Sequence, residues 1–193
     1  IDGSGLDEQG QHSTASTDMW LTFNNNTWIQ YEFAGPQKFH QMLVWNFNGA
    51  FIMAFGLMDV TIEYSADGVA WSQMSKQFAQ APGQDGYASN TTVDFGSVAA
   101  KMVKITAQNN WASIAAFNQY GLSEVQFLAV PVRARKPSPA SGATDVALDT
   151  MLSWRAGREA SEHNVYISDD EQSVIDGTAP VVTESQAAYG PLS

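Results

Sequence analysis

The chain has 193 residues, with 20 acidic against 9 basic side chains and a formal net charge of −11. That excess of negative charge opposes binding to nucleic acid or to anionic membrane surfaces, and it disfavours a polyanionic ligand. Cysteine is absent, which removes disulfides, thiolate metal sites and cysteine nucleophiles, and no run of about 20 apolar residues is present to cross a membrane as a helix.

The chain opens on Ile1-Asp2-Gly3-Ser4-Gly5-Leu6 with neither an initiating Met nor a leader, and reads as a piece of a longer protein. Residues 1–27 are rich in Gly, Ser, Thr, Asn and Asp without periodicity, as in a long ordered loop. Trp28 to Phe33 largely alternates apolar and polar residues, the mark of a half-buried strand. Gly35-Pro36 predicts a turn, and Phe39 to Trp45 a second strand. Val60 to Ser65 predicts a third strand, closed by the tight turn Ala66-Asp67-Gly68. Trp71 to Met74, Thr91 to Phe95, Met102 to Ala107 and Glu124 to Val130 follow as strands, with a turn-rich connector over 83–89. Trp28, Trp45 and Trp71 sit in these patterns and are expected in the core. No segment shows a helical period. The fold class is therefore all-β, an antiparallel β-sandwich or jelly roll over 1–130.

A boundary follows at residue 131. Pro131, Pro137 and Pro139 flank Arg133, Arg135 and Lys136, and 131–142 reads as a Pro/Ser-rich linker. Beyond it, Met151 to Trp154 and His163 to Ser168 predict strands of a second β-sandwich over 143–193. That stretch is short for a complete sandwich and reads as truncated.

Only 15% of residues are charged, below the common share of about 25%. The polar surface must come from Asn, Gln, Ser and Thr, which suits neutral, hydroxyl-rich ligands and also occurs on β proteins with no such role. Catalysis finds little support. Asp59, Glu63, Asp67 and Glu124 form no obvious pair for acid–base work. His12, His40 and His163 lie far apart with no metal-binding spacing, and no serine sits in a nucleophile elbow.

Three segments carry a resemblance. Trp28-Ile29-Gln30-Tyr31-Glu32-Phe33, the strand and turn from Val60 through Ser65-Ala66-Asp67-Gly68 to Trp71, and Gly121-Leu122-Ser123-Glu124-Val125 resemble the discoidin superfamily. That group holds coagulation-factor C-type domains and family 32 carbohydrate-binding modules on a galactose-binding-like jelly roll. The likeness covers roughly residues 1–130, without the superfamily's first strand. Pro137 to Val146 and Leu152-Ser153-Trp154 resemble the start of a fibronectin type III-like domain. The combination is similar to large exported proteins of planctomycete-like bacteria, which implies a secreted or surface setting.

The resemblance implies a structural calcium ion that staples the opening loop to the last strand, held by Asp2, Glu124 and a Ser4 carbonyl. Backbone oxygens of His12, Ser13 or Thr14 are the further ligands, Ser13 foremost. Read without it, Asp2 caps a turn and Glu124 pairs with a surface cation. The resemblance also places a ligand site on the loops at one end of the sandwich. There Trp111 is the expected stacking platform, with Asn110, Asn46 and Asn48 as hydrogen-bonding partners. Trp20 and Phe51 are further candidates, each with a competing role in packing. The loop from Asn46 to Leu57 carries no His, Lys or Arg, unlike galactose-binding members, so a different sugar is expected. The chain as a whole is read as a non-catalytic module anchoring a larger protein to a neutral glycan. A spacer or protein-interaction domain is the competing reading.

Overall fold

A computed structural model describes residues 3–24, 27–112 and 118–191. The chain divides into two compact units, Ile1–Val130 and Pro131–Ser193. The first holds β1 (Trp20–Thr22), β2 (Trp28–Asn46), β3 (Asp59–Ser65), β4 (Ser72–Gln77), β5 (Thr91–Ala107) and β6 (Tyr120–Ala129). They hydrogen-bond in the order β1-β6-β2-β5-β3-β4, every strand pair antiparallel.

The long pair β2 and β5 forms both layers of the sandwich. Trp28 to Glu32 pairs with Met102 to Thr106, and Gln37 to Val44 pairs with Ala100 to Thr91. The break between them falls on Phe33-Ala34-Gly35-Pro36, where proline has no N–H to give the ladder. The turn expected at Gly35-Pro36 is thus a bulge inside one bent strand. Segments 91–95 and 102–107 are likewise one strand, β5, bent where Gly96 and Ser97 take positive φ. On one side of the bend the ladder continues into β3 and β4, and on the other into β6 and β1.

Both arms contribute to one apolar cluster. Met42, Val44, Val93 and Leu122 come from the β6 side, and Ile62, Val103 and Ile105 from the β3 side. Phe33, Phe39, Phe95 and Phe127 interlock within it, with ring centroids 4.7–6.4 Å apart.

The tryptophans depart from expectation. Trp45 is buried as expected, but Trp28 is 55% and Trp71 40% exposed. Trp28 and Ile29 put apolar groups at both strand parities. The run Ile29, Tyr31, Phe33 packs on the core, so Trp28 shares the outer face with Gln30 and Glu32.

The second unit has a three-stranded sheet in the order β11-β8-β7 and a two-stranded sheet of β10 and β9. Its elements are β7 (Arg135–Ser138), β8 (Leu152–Arg155), β9 (His163–Tyr166), a one-turn helix α1 (Glu171–Ile175), β10 (Val181–Glu184) and β11 (Ala188–Tyr189). β7 forms within the segment expected as a linker, since Arg135 and Ser138 find partners on β8. The helix went unforeseen; Asp170 starts it by accepting the Gln172 N–H. The Trp154 indole N–H donates to His163 Nδ1 at 3.1 Å, tying one sheet to the other.

Because the fully buried Phe39 ring touches three other aromatic rings, Phe39→Ala is expected to cost the first unit about 3–5 kcal/mol. Urea unfolding followed by tryptophan fluorescence measures that loss.

Candidate binding site

The loops at one end of the sandwich are held by two buried amides. Asn46 and Asn48 are both 0% exposed. The Asn46 amide donates to the carbonyls of Leu57 (2.7 Å) and Ala79 (2.8 Å), and its side-chain oxygen accepts the Phe47 N–H. The Asn48 amide donates to the carbonyls of Ser13 (3.0 Å) and Gln84 (2.8 Å), and its oxygen accepts the Gly83 N–H. Together they fasten the opening loop, the 47–58 loop and the 79–90 connector. The expectation that Asn46 and Asn48 contact a ligand is corrected: their hydrogen-bonding groups are spent on the backbone and lie away from solvent.

Phe47 fills the centre of this end, buried against Gly49 and Gly121. A Cβ on Gly121 would run into the Phe47 ring, so the close approach of the last strand requires glycine. Tyr87 completes the interior. Its hydroxyl donates to Asn90 Oδ1 (2.7 Å) and accepts the Asn46 N–H (3.1 Å).

Asn110 and Trp111 meet the 47–58 loop through Gly56, whose carbonyl accepts the Trp111 backbone N–H. The Trp111 indole N–H donates to the Phe78 carbonyl at 3.1 Å, which fixes the ring while leaving it partly exposed. The Asn110 amide donates to the Gln119 carbonyl, and its oxygen accepts the Ala112 N–H. Trp20 lies in β1 opposite Leu122 and packs on the main core, also partly exposed. Phe51 stands clear at 97% exposure, on a backbone with φ of 65° that a bulky side chain seldom adopts. The structure thus sets Asn110 and Trp111 against the loop that carries Phe51, and puts Trp20 in packing.

The other predicted corner centres on Glu124, 3% exposed. Its Oε2 accepts the Gly3 N–H at 2.6 Å and its Oε1 accepts the Val125 N–H at 2.9 Å. No ion pair forms with it among the described residues. Burial, and then the Glu124 charge, push the Tyr31 phenol well above its ordinary pKa. Ser4 follows Gly3 on the exposed side of this corner. Asp2 lies outside the described residues. Ser13 belongs elsewhere: its hydroxyl donates to Asp18 Oδ2 at 3.0 Å, and its carbonyl accepts from His12 Nδ1 and Asn48.

A cleft of about 320 Å³ beside the opening loop is lined by Asp7, Asp18 and Asp85. Each carboxylate is engaged by its own surroundings: Asp7 by the N–H groups of Gln9 and Gln11, Asp18 by Ser13 and Thr17, and Asp85 by Thr14. No three acidic or histidine side chains converge on one point among the described residues. The roles of His12, Tyr87 and Asp85 left no signal in the sequence, because their partners lie in loops of no fixed period.

The antiparallel sandwich, its loops clamped at one end, places the first unit in the class of all-β sandwich domains. Within it the chain belongs to the F5/8 type C domain family, which matches residues 2–120. Among solved structures, the chain is similar to CpGH89 of Clostridium perfringens in complex with its substrate GlcNAc-α-1,4-galactose. The match has 15% identity and a TM-score of 0.46, covering 67% of this chain and 12% of that one. An F5/8 type C domain from Bacteroides fragilis matches at 15% identity over 66% of this chain and 76% of that chain, TM-score 0.46. CpGH89CBM32-5 of Clostridium perfringens, in complex with GalNAc-β-1,3-galactose, matches at 17% identity over 67% of this chain and 80% of that one, TM-score 0.48. No curated protein sequence matches the chain.

The clamp makes stability depend on pH at both ends. Burial raises the Tyr87 phenol from 10.0 to about 12, so its contribution is intact below pH 10 and is lost as pH rises through 10 to 12. Tyr87→Phe is expected to cost about 1–3 kcal/mol at neutral pH and to remove that alkaline loss. Hydrogen bonds from Thr14 hold Asp85 below its ordinary 3.8. Its contribution is present above pH 3.8 and disappears as pH falls below it, so Asp85→Asn flattens the acid side of the curve. Unfolding midpoints measured from pH 2 to 12 read both effects.

Proposed function

We propose that the first unit is a non-catalytic carbohydrate-binding module, attaching a larger secreted or cell-surface protein to a neutral glycan. The observation that carries this reading is Trp111, a partly exposed indole immobilised by its hydrogen bond to the Phe78 carbonyl and set beside Asn110. A sugar ring presents an apolar C–H face to such an indole, while Asn110, engaged with the Gln119 carbonyl and the Ala112 N–H, fixes the loop beside it. A ring already fixed loses little freedom on binding, which favours affinity. Phe51 extends the apolar surface of the same loop end. The low charge content and the net charge of −11 favour a neutral over an anionic ligand.

A structural calcium ion fits the Glu124 corner. Asp2, a Ser4 carbonyl and Glu124 would hold it, while Ser13, engaged with Asp18 and Asn48, drops out of the set. The supporting observation is a buried carboxylate with no cationic side chain beside it among the described residues, each oxygen accepting only one N–H and so keeping a lone pair for a hard cation. The second unit is taken as fibronectin type III-like, a neighbour in the parent chain. A spacer role is favoured by one fact, the internal saturation of Asn46 and Asn48.

A glycan array probed with the whole chain in calcium buffer is expected to give binding to neutral sugars that Trp111→Ala abolishes. A blank array with folded protein would instead support the spacer. For the cation, added calcium is expected to stabilise the first unit by about 2.7 kcal/mol at a hundredfold excess over Kd and so to raise its unfolding midpoint. Chelator should reverse the shift and Glu124→Gln should eliminate it. An unchanged midpoint would remove calcium from the reading.

A further inference from the structure

The outer face of the β2-β5-β3-β4 layer carries two exposed tryptophans that the loop site does not use. Trp28 starts β2, and Trp71 immediately precedes β4 on the same strand parity as Gln73 and Ser75. Strand spacing and rise place them at opposite corners of the face, about 20 Å apart. Between them the register sets Gln30, Thr61, Thr106, Lys104 and Glu63.

The charges on this face cancel locally. Lys104 Nζ lies 3.0 Å from Glu63 and 5.6 Å from the Trp28 ring centroid, and Lys101 pairs with Glu32 at 3.1 Å. The lysine steadies the Trp28 indole by a cation–π contact while over half of the residue stays in solvent. The Trp71 indole is steadied in turn by donating to the Gly68 carbonyl at 3.1 Å. The result is a field of amides and hydroxyls around one closed ion pair, with Met102 and the amide-bonded Asp59 at its margins, between two held indoles.

We propose that this face is a second carbohydrate-contact surface, which takes an extended neutral polysaccharide lying flat from Trp28 to Trp71. Charge balance argues against an ionic ligand, because every cation on the face already has its carboxylate. Across the face the backbone of β2, β5 and β3 is consumed by the ladder, and the one free edge, on β4, lies at the rim beside Trp71 and not along the line from Trp28 to Trp71. What remains is recognition by stacking and by side-chain amides and hydroxyls, the pattern a polysaccharide offers several times over about 20 Å. The surface adds to the loop-end reading and does not depend on Trp111.

Affinity electrophoresis of the full chain, through gels holding xyloglucan, galactomannan or hydroxyethylcellulose, tests it. The wild-type chain is expected to be retarded in at least one gel. Trp28→Ala with Trp71→Ala should weaken that retardation about tenfold, the scale of a lost aromatic anchor. Trp28→Phe with Trp71→Phe, which keeps both flat rings, should restore most of it. Unchanged thermal midpoints show that the variants are folded. Retardation that survives the double alanine change overturns the proposal, and if Trp111→Ala alone removes it the loop reading stands without this face. Retardation lost only in the double alanine variant supports the face and counts against Trp111. A wild-type chain retarded by none of the three polysaccharides overturns the sheet-face proposal.

Discussion

Everything at the loop end depends on the saturation of two side-chain amides. Loops without regular pairing leave backbone carbonyls and N–H groups that cannot be buried without partners. Asn46 and Asn48 meet that need at the point where β2 stops, each donating to two carbonyls and accepting one N–H. Three loops far apart in sequence become one rigid end. Rigidity there is what gives Phe51 its strained, outward position and Trp111 its fixed ring. Both are costs that a loosely held loop would relax away.

The same constraint explains why residue type alone misled at these positions. An asparagine in a loop is equally suited to a ligand hydroxyl and to a backbone carbonyl, and composition cannot tell which it meets. Asn46 and Asn48 come just after Val44 and Trp45, which are buried on opposite faces of β2, so the buried reading was available in principle from where the strand ends. What was missing was the path of the 79–90 connector, which brings the Ala79, Gly83 and Gln84 backbones to those amides. No local pattern encodes that path.

The strands were far more legible than the connections. Alternation located every segment of the long pair β2 and β5, since a period of two is written in each short stretch. It did not show that the pieces were continuous, because Gly35-Pro36 and Gly96-Ser97 carry the chemistry of turns as well as of bulges. Parity was ambiguous where apolar residues adjoin. Trp28 beside Ile29 is such a case, and the packed run Ile29, Tyr31, Phe33 decided it against the tryptophan. β7 within the proline-rich 131–142 segment shows the converse. Its short ladder to β8 tolerates a proline between the paired Arg135 and Ser138.

The first unit therefore separates its tryptophans by function of position. Trp45 and Trp20 pack on buried residues, Trp45 also donating its indole N–H to the Gly10 carbonyl at 3.1 Å. Trp111, Trp28 and Trp71 show part of their rings to solvent, and all three are held by a polar contact: a carbonyl for Trp111 and Trp71, a lysine for Trp28. An indole left at the surface merely for want of room in the core has no reason to be oriented. Three oriented, accessible indoles on a chain of low charge content amount to surface apolar area with defined geometry. Neutral sugars, with alternating apolar faces and hydroxyl edges, complement such area in a way that charged partners do not. The carbohydrate contacts proposed at the loop end and on the sheet face share one basis, indoles that are both oriented and accessible.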